Sequence, residues 1–549
     1  MTNAFRAASL SPRMALSLPL LLAAALMTAA DRAPLPRPAQ EAASAPARDG
    51  RSPVWIFFAE RRAEPCAACD TELTDLALAR RAKRRTLPGL VDTSDVALPR
   101  AQVDAVAATG ASIRVQSRWL NAVSAMATPA QIAAIRKLPG VLRVEGVRGG
   151  RRVTPDRFAG DAGDGDRQTR DLAFYGYAAT QTAQIDLVRL HDAGYHGAGI
   201  VIGILDSGFH RVHQAFQSAA HPLQVIAEWD FVNNDGNTDI QAGDYSEQHK
   251  HGTWILGTLA SYIPNQLVGT AYEAKFVLAK TEKVDTETPI EEDWYVAGLE
   301  FIEAHGADLA TSSLGYIDWY TQDDMDGHTA VTTLAVNMAT ANGLICLSAA
   351  GNEGHDAAPS TNTLIAPADG LQVISCGAVD GSGAIASFSS SGPTVDGRVK
   401  PELLAMGVNT ASVNSTAATG FSMVSGTSLS TPLLAGAVAC MLQARPDFTV
   451  ASIRQALFAT ASRSDAGGLH PDPLFIQGYG IASAFNAVQW HPACLGDLDA
   501  SGEVDAGDLG LLLLNFGPCF ECPADLDGSG EVDSADLGLL LLNFGACAS

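Results

Sequence analysis

Beyond residue 30 the chain has no apolar run long enough to cross a bilayer, so the mature protein is not expected to span or bind a membrane. The one long run, from Met14 to about Ala30, follows Arg6 and Arg13 and ends in Thr28-Ala29-Ala30. That is the layout of a secretory signal peptide over residues 1–30, with an uncleaved anchor as the alternative. Basic residues are scarce as well. The 36 Lys and Arg face 60 Asp and Glu, a net charge of −24, and the last 56 residues hold 11 acids and no base. A chain with this balance has little with which to grip a phosphate backbone, so nucleic acid is not an expected partner. Cysteine is sparse, nine in 549 residues. The lone CxxC, Cys66 and Cys69, lacks the second pair of a zinc site and reads as a local disulfide or free thiols. Cys346, Cys376 and Cys440 lie in apolar runs and read as core.

The charge that is present is divided. Residues 51–152 hold 17 basic and 9 acidic residues (+8), and residues 153–493 hold 14 and 37 (−23). The basic segment thus has an acidic partner in its own chain. An Ala-, Pro- and Arg-rich linker over 31–52 precedes it. Within 53–148 the order is strand (Val54–Phe58), helices (Leu73–Arg85, Ala101–Ala108), two strands (Ser112–Val115, Ala122–Ala127), a helix opened by Thr128-Pro129, and a strand (Val141–Val144). This predicts a small α+β domain without a nucleophile–base pair. Residues 149–174 include Gly160-Asp161-Ala162-Gly163-Asp164-Gly165-Asp166, an exposed boundary that would accommodate a proteolytic cut.

From 175 to 490 apolar strand-like runs alternate with helical stretches at 251–260, 291–305 and 328–341. The runs are Ile200–Leu205, Phe276–Ala279, Leu309–Leu314, Leu344–Ser348 and Val373–Cys376. The pattern predicts an α/β domain with a mostly parallel sheet, whose chemistry lies beyond the carboxyl ends of the strands. Four residues sit at such ends. Asp206 closes the first run. His251 opens an apolar helix. Asn352 lies on the turn Ala350-Gly351-Asn352-Glu353-Gly354. Ser428 stands in Ser425-Gly426-Thr427-Ser428, before the apolar run Leu433–Leu442. Alone, Ser428 reads as a helix N-cap; Gly426 would permit a close backbone approach or an unusual dihedral, and Pro432 would take a first-turn position. Together the four supply a base, a carboxylate to fix its tautomer, a nucleophile and a donor for a developing oxyanion.

The order Asp, His, Ser is that of subtilisin, and residues 175–490 resemble a subtilisin-like serine protease. The matching pieces are Asp206-Ser207-Gly208, His251-Gly252-Thr253, Ser313-Leu314-Gly315, Ala350-Gly351-Asn352-Glu353, Gly426-Thr427-Ser428 with Pro432, and Gly478-Tyr479-Gly480. The resemblance implies a secreted endopeptidase acting through Asp206, His251 and Ser428, with Asn352 and the Ser428 N–H as oxyanion donors. It implies a peptide or protein substrate paired along Ser313, Leu314 and Gly315. The rivals are an inactive scaffold serving as a surface binding protein and a serine hydrolase of another substrate class. Trp254 stands where many members carry a second histidine, and Leu429 and Thr431 replace Met and Ala, which bears on the pocket. Residues 53–148 resemble the family's propeptides, carried by Trp55-Ile56-Phe57-Phe58 and Ser117-Arg118-Trp119-Leu120-Asn121-Ala122. Such a domain would inhibit the protease until cut within 149–174, docking through opposite charge.

Asp230–Asp244, with Asn233, Asn234, Asp235 and Asp239, reads as a calcium loop or an acidic solvated one. The C-terminal unit, 494–549, holds a 12-residue pattern that recurs with a period of 28. Its oxygen side chains are Asp497, Asp499, Ser501, Asp505 and Asp508, then Asp525, Asp527, Ser529, Asp533 and Asp536. Glycine at position 6 and the carbonyls of Glu503 and Glu531 at position 7 complete calcium-loop spacing. Each loop runs into a short apolar helix, and no entering helix fits. The pair resembles a dockerin module, implying Ca²⁺ as its only cofactor and a cohesin-like or cell-surface partner, or docking within its own chain. Cys494 and Cys519, and Cys522 and Cys547, flank the loops and would staple each repeat; three connectivities are open.

Overall fold

The computed structural model describes residues 50–59, 71–147, 157–161, 170–285, 288, 290–317, 319–358, 360–464, 469–491, 494–499, 501–518, 523–526 and 531–547. The expected signal peptide, the Cys66/Cys69 pair, Cys519, Cys522, Asp527 and Ser529 lie outside them.

The N-terminal domain is built from β1 (Ser52–Phe58), α1 (Asp75–Arg84), α2 (Arg100–Ala107), β2 (Ser112–Ser117), β3 (Ala122–Ala127), α3 (Pro129–Ile135) and β4 (Val141–Gly146). Its antiparallel sheet has the order β2-β3-β1-β4. The run Val54–Phe58 is apolar throughout because both faces are covered. Val54, Ile56 and Phe58 enter the domain's own core, while Trp55 and Phe57 join a core shared with the next domain. Thr128 and Gln131 close a capping box on α3, as Thr128-Pro129 predicted.

The chain continues through β5 (Arg157–Asp161), β6 (Val201–Asp206), β7 (Gln224–Asp230), α4 (Lys250–Ala260), β8 (Lys275–Lys280), α5 (Ile290–Ala304), β9 (Leu309–Ser312), α6 (Val331–Ala341), β10 (Ile345–Ala349), β11 (Ile374–Val379), β12 (Leu403–Met406), β13 (Thr410–Val413), β14 (Phe421–Ser425) and α7 (Thr427–Ala444). A seven-stranded sheet, β12-β11-β10-β9-β6-β8-β7, is parallel throughout. Strand order turns around at β6, so β6 and β9 open a crevice at their carboxyl ends. Edge strand β7 escaped the sequence reading because it carries Gln224, Glu228 and Asp230 among its apolar residues. β12 to β14 escaped it because each is only four or five residues long.

α7 runs against β9 to β12, buried from Thr427 through Leu442. Among the described residues it is the one helix long and apolar enough to cross a membrane, and its burial makes it a core helix. Pro432 is its sixth residue, not a first-turn residue. A proline there deprives the carbonyl four residues back of its donor. That carbonyl is Ser428's, and the Ser313 hydroxyl replaces the missing N–H at 2.8 Å. Gly426 is extended (φ 164°), so a left-handed dihedral is not what it supplies.

The acidic segment 230–244 folds around a cation from the protein. Lys280, fully buried at the end of β8, sets its Nζ 2.8 Å from Asp230 and 2.7 Å from Asp244. Asp230 and Asp244 are thereby drawn into a buried ion triad, while Asn233, Asn234, Gly236 and Asn237 between them are exposed, as expected of a solvated loop.

In the C-terminal unit, α8 (Ala506–Leu514) and α9 (Ser534–Leu542) follow the two loops. Short strands pair across the repeats: Glu503–Val504 with Gly545–Ala546, and Gly517–Pro518 with Glu531–Val532. The start of one repeat therefore meets the end of the other, and Cys494 is bonded to Cys547. This overturns the expected Cys494–Cys519 and Cys522–Cys547 pairings, since the folded unit exchanges ends between repeats.

Candidate active site

Each candidate residue sits where an element ends in the crevice. Asp206 closes β6 and is fully buried. Its Oδ1 accepts the Ser207 N–H at 2.7 Å, which fixes the carboxylate. His251 is the second residue of α4, and its Nδ1 lies 2.8 Å from Asp206 Oδ1 and 3.0 Å from Oδ2. An Nδ1–H donated to that carboxylate leaves Nε2 as the basic nitrogen, the tautomer a general base needs. Ser428 is the second residue of α7, not its N-cap, and is 4 % exposed. Helix geometry aims the positive dipole end of α7 at whatever lies before this first turn.

Asn352 follows β10. Its Oδ1 accepts the Thr427 N–H at 2.9 Å and lies 3.0 Å from the Thr427 hydroxyl. Spending the carbonyl end on the residue before Ser428 turns the amide's NH₂ end away from Thr427. Ser313, Leu314 and Gly315 continue directly from β9. Ser313 touches Ser428 twice: its hydroxyl donates to the Ser428 carbonyl, and its own carbonyl lies 3.4 Å from Ser428 Oγ. Leu314 is buried, and Gly315 abuts the Ile365 side chain. The sequence reading missed this link between Ser313 and the nucleophile candidate; the proline four residues after Ser428 was the available signal.

The N-terminal domain covers α5 and α6 beside the crevice, and charge is paired there residue by residue. Asp293 of α5 accepts the Ser124 hydroxyl and pairs with Arg114. Burial pushes the Asp293 carboxyl up to about 6, against the opposing pull of Arg114 and Ser124. Glu300 accepts the Ser117 hydroxyl at 2.5 Å and the Trp119 N–H at 3.3 Å, and pairs with Arg118 at 3.5 Å. Because these groups are buried, salt screens them weakly.

In the C-terminal unit the carboxylates of Asp497, Asp499 and Asp508 converge, with oxygens within 4.8 Å of one another. Asp508 Oδ1 accepts the Leu498 N–H and Oδ2 the Asp505 N–H; Asp536 does the same with Leu526 and Asp533. Asp505 and Asp533 cap α8 and α9. The Ser501 hydroxyl donates to the Glu503 carbonyl. Glu531 and Asp525 hold the corresponding places in the second loop.

Comparison with known proteins agrees with this architecture. Residues 197–480 match the Subtilase family, peptidase S8, and residues 53–157 match the Peptidase S8 propeptide domain of Bacteroidota. Subtilisin E of Bacillus subtilis is 28% identical over 384 residues, covering 69% of this chain and 86% of its own. The subtilisin of Bacillus pumilus is 31% identical over 282 residues, 51% of this chain and 90% of its own. Fervidolysin from Fervidobacterium pennivorans, a keratinolytic enzyme related to subtilisin, shares the fold with a TM-score of 0.55 at 20% identity, over 82% of this chain and 63% of that one. The chain belongs to the subtilase family. It is a serine-type endopeptidase of the secreted type, preceded by an S8 propeptide domain.

Proposed function

We propose that the protein is a secreted endopeptidase made as a zymogen, with Ser428 as nucleophile, His251 as general base, Asp206 as the group that orients it, and Asn352 as oxyanion donor. The observation that carries the reading is the Asn352 carbonyl on the Thr427 N–H at 2.9 Å, which holds the amide beside Ser428. In this mechanism Ser428 Oγ attacks the peptide carbonyl and His251 Nε2 takes its proton. The oxyanion lies between the Asn352 NH₂ and the Ser428 N–H. The imidazolium then protonates the leaving amine, and water resolves the acyl-enzyme by the same route. The substrate backbone extends along Ser313–Gly315. Asn352→Ala is expected to lower kcat for an unfolded protein substrate by ~10²–10³ with little change in KM, because its bond to the oxyanion exists only in the transition state. Unchanged kcat would remove Asn352 from this role.

The proposed division is signal peptide 1–30, linker 31–52, propeptide domain 53–148, linker 149–174 with the processing site, peptidase domain 175–490 and C-terminal module 494–549. β5 pairs antiparallel with β14, the strand leading to Ser428, which supports a cut within that linker. The propeptide domain serves as the chain's own inhibitor until then.

The C-terminal module is proposed to be a dockerin-like, calcium-dependent tether. Three converging carboxylates, with no base in the last 56 residues, suit a hard cation held by oxygen. The residues that would hold it are Asp497, Asp499, Ser501, Asp508 and the Glu503 carbonyl, and Asp525, Asp527, Ser529, Asp536 and the Glu531 carbonyl. Asp505 and Asp533 act on the ion directly or through water. Leu513, Leu514 and Phe516 are exposed on one repeat and Leu541, Leu542 and Phe544 on the other, with Leu514 and Leu542 each 83 % exposed. That repeated apolar edge supports a protein partner, cohesin-like or on the cell surface. Chelation of the full chain by EGTA is expected to lower the module's melting temperature and calcium to restore it; indifference to both would contradict the calcium reading.

A further inference from the structure

The inhibitor role assigned to the N-terminal domain explains the contacts of its sheet with α5. It does not explain α1. Residues 72–95 leave the sheet and reach the opposite end of α5 and α6. There the two helices leave unpaired carbonyls and the negative ends of their dipoles.

The segment occupies both ends. Thr74 donates its N–H and its hydroxyl to the Ala304 carbonyl at 2.9 Å each, in the last turn of α5. Thr86 donates to the Ala341 carbonyl, the last of α6, at 2.9 Å. Four arginines fill the space between. Arg80 pairs with Glu303 and donates to the Glu303 and Ala307 carbonyls at 3.1 and 2.7 Å. Arg81 bridges Glu303 and Asp95, each at 2.7 Å. Arg84 meets Asp308 at 2.8 Å and the Phe448 carbonyl at 2.9 Å. Arg85 reaches the Asn342 side chain at 2.9 Å. Arg80, Arg81 and Arg84 are at most 3 % exposed.

The peptidase side is shaped to receive them. Gly306 (φ +84°) and Gly343 (φ +85°) end the two helices, and a Cβ there would stand 2.9 Å from Ala77 N and 2.7 Å from the Arg84 carbonyl carbon. Only glycine admits both the left-handed turn and the close approach of α1. Asp308 lies just before β9 and its Oδ2 accepts the Val201 N–H. The contact is therefore at the amino ends of the strands, away from Ser428.

We propose that residues 72–95 are a clasp: an arginine-rich helix, received by the carboxyl ends of α5 and α6, that retains the propeptide domain after the linker is cut. The lifetime of the inhibited complex is then set at this remote surface as well as at the active site. The proposal rests on the zymogen reading, since retention matters only once the chain is cut.

The test follows the full-length chain through its own processing. Size-exclusion chromatography reads how long the cut propeptide domain co-elutes with the peptidase domain. Truncating one partner of a buried, hydrogen-bonded charge pair acts mainly on dissociation. Arg80→Ala with Arg84→Ala is expected to release the domain at least ~30-fold faster, with activity appearing correspondingly sooner and final kcat/KM unchanged. Glu303→Gln, on the receiving side, should act in the same direction. Release at the wild-type rate in both overturns the clasp. A second readout needs no peptidase activity: hydrogen exchange in the uncut Ser428→Ala chain. There Glu303→Gln is expected to lower protection of the Thr74 and Thr86 amides at least tenfold while β1 and β3 stay protected. Unchanged protection at Thr74 and Thr86 also overturns the clasp, whatever becomes of the zymogen reading.

Discussion

Ser428→Ala is expected to leave the chain uncut and to lower kcat on the order of 10⁶-fold once the linker is cut in trans by an unrelated protease, the scale found for this group in subtilisin. The size follows from how the site is built. Asp206 is buried on β6, His251 is the second residue of α4, and Ser428 is the second residue of α7. None has a role without the others, so His251→Ala should cost about as much and the double variant little more. Asp206→Asn should cost less, on the order of 10⁴, because it spoils the tautomer and leaves the nucleophile in place. The residual rate belongs to Asn352 and the first-turn N–H groups of α7. Additive losses would mean that the three residues do not act as a unit. The readouts are the processed band on a gel and initial rates on an unfolded protein.

Lys280→Met is expected to be the most damaging single change to stability. It removes the one cation between Asp230 and Asp244, both carboxylates being nearly or wholly buried. Stranding such charges costs ~3–5 kcal/mol, against a total stability of roughly 5–15 kcal/mol for a folded domain. The pH dependence gives the mechanism away. Burial works against the Asp244 charge, but the Lys280 ammonium and the Asn233 amide outweigh it and hold the carboxyl below its ordinary value. Its stabilising effect is therefore present above the ordinary carboxylate range and lost as pH falls through the lowered one. Without Lys280 the negative charge of Asp244 is buried with no cation beside it, so its protonation in acid relieves the variant. Urea midpoints in a Ser428→Ala background, which cannot digest itself, should differ more at pH 7 than at pH 4.5. Asp230→Asn should restore part of the loss in the Lys280→Met chain. A deficit independent of pH would mean that lost packing, not stranded charge, is responsible.

Much of this site was legible because its chemistry falls at boundaries that local pattern marks. Asp206 ends an unbroken apolar run, His251 opens an apolar helix and Asn352 stands on a glycine-rich turn. What escaped depends on partners far away in sequence. Pro432 looked like a first-turn residue because nothing local announces that Ser313, 115 residues earlier, supplies the missing hydrogen bond. Lys280 lies one residue past the run Phe276–Ala279, and nothing local announces that Asp244, 36 residues earlier, and Asp230 close on it. α1 was visible as a basic helix, but its receiver, the Ala304 carbonyl, lies 230 residues from Thr74. The cysteines misled because the unit that repeats in sequence is not the unit that folds: Cys494 lies 53 residues from its partner Cys547, across both loops.

The most direct test of the account is covalent labelling of the processed chain by a serine-directed fluorophosphonate, with the modified peptide identified by mass spectrometry. The account predicts one adduct, on Ser428, lost in Ser428→Ala and greatly slowed in His251→Ala. A label that persists in Ser428→Ala, or that never forms on the wild-type chain, would contradict it.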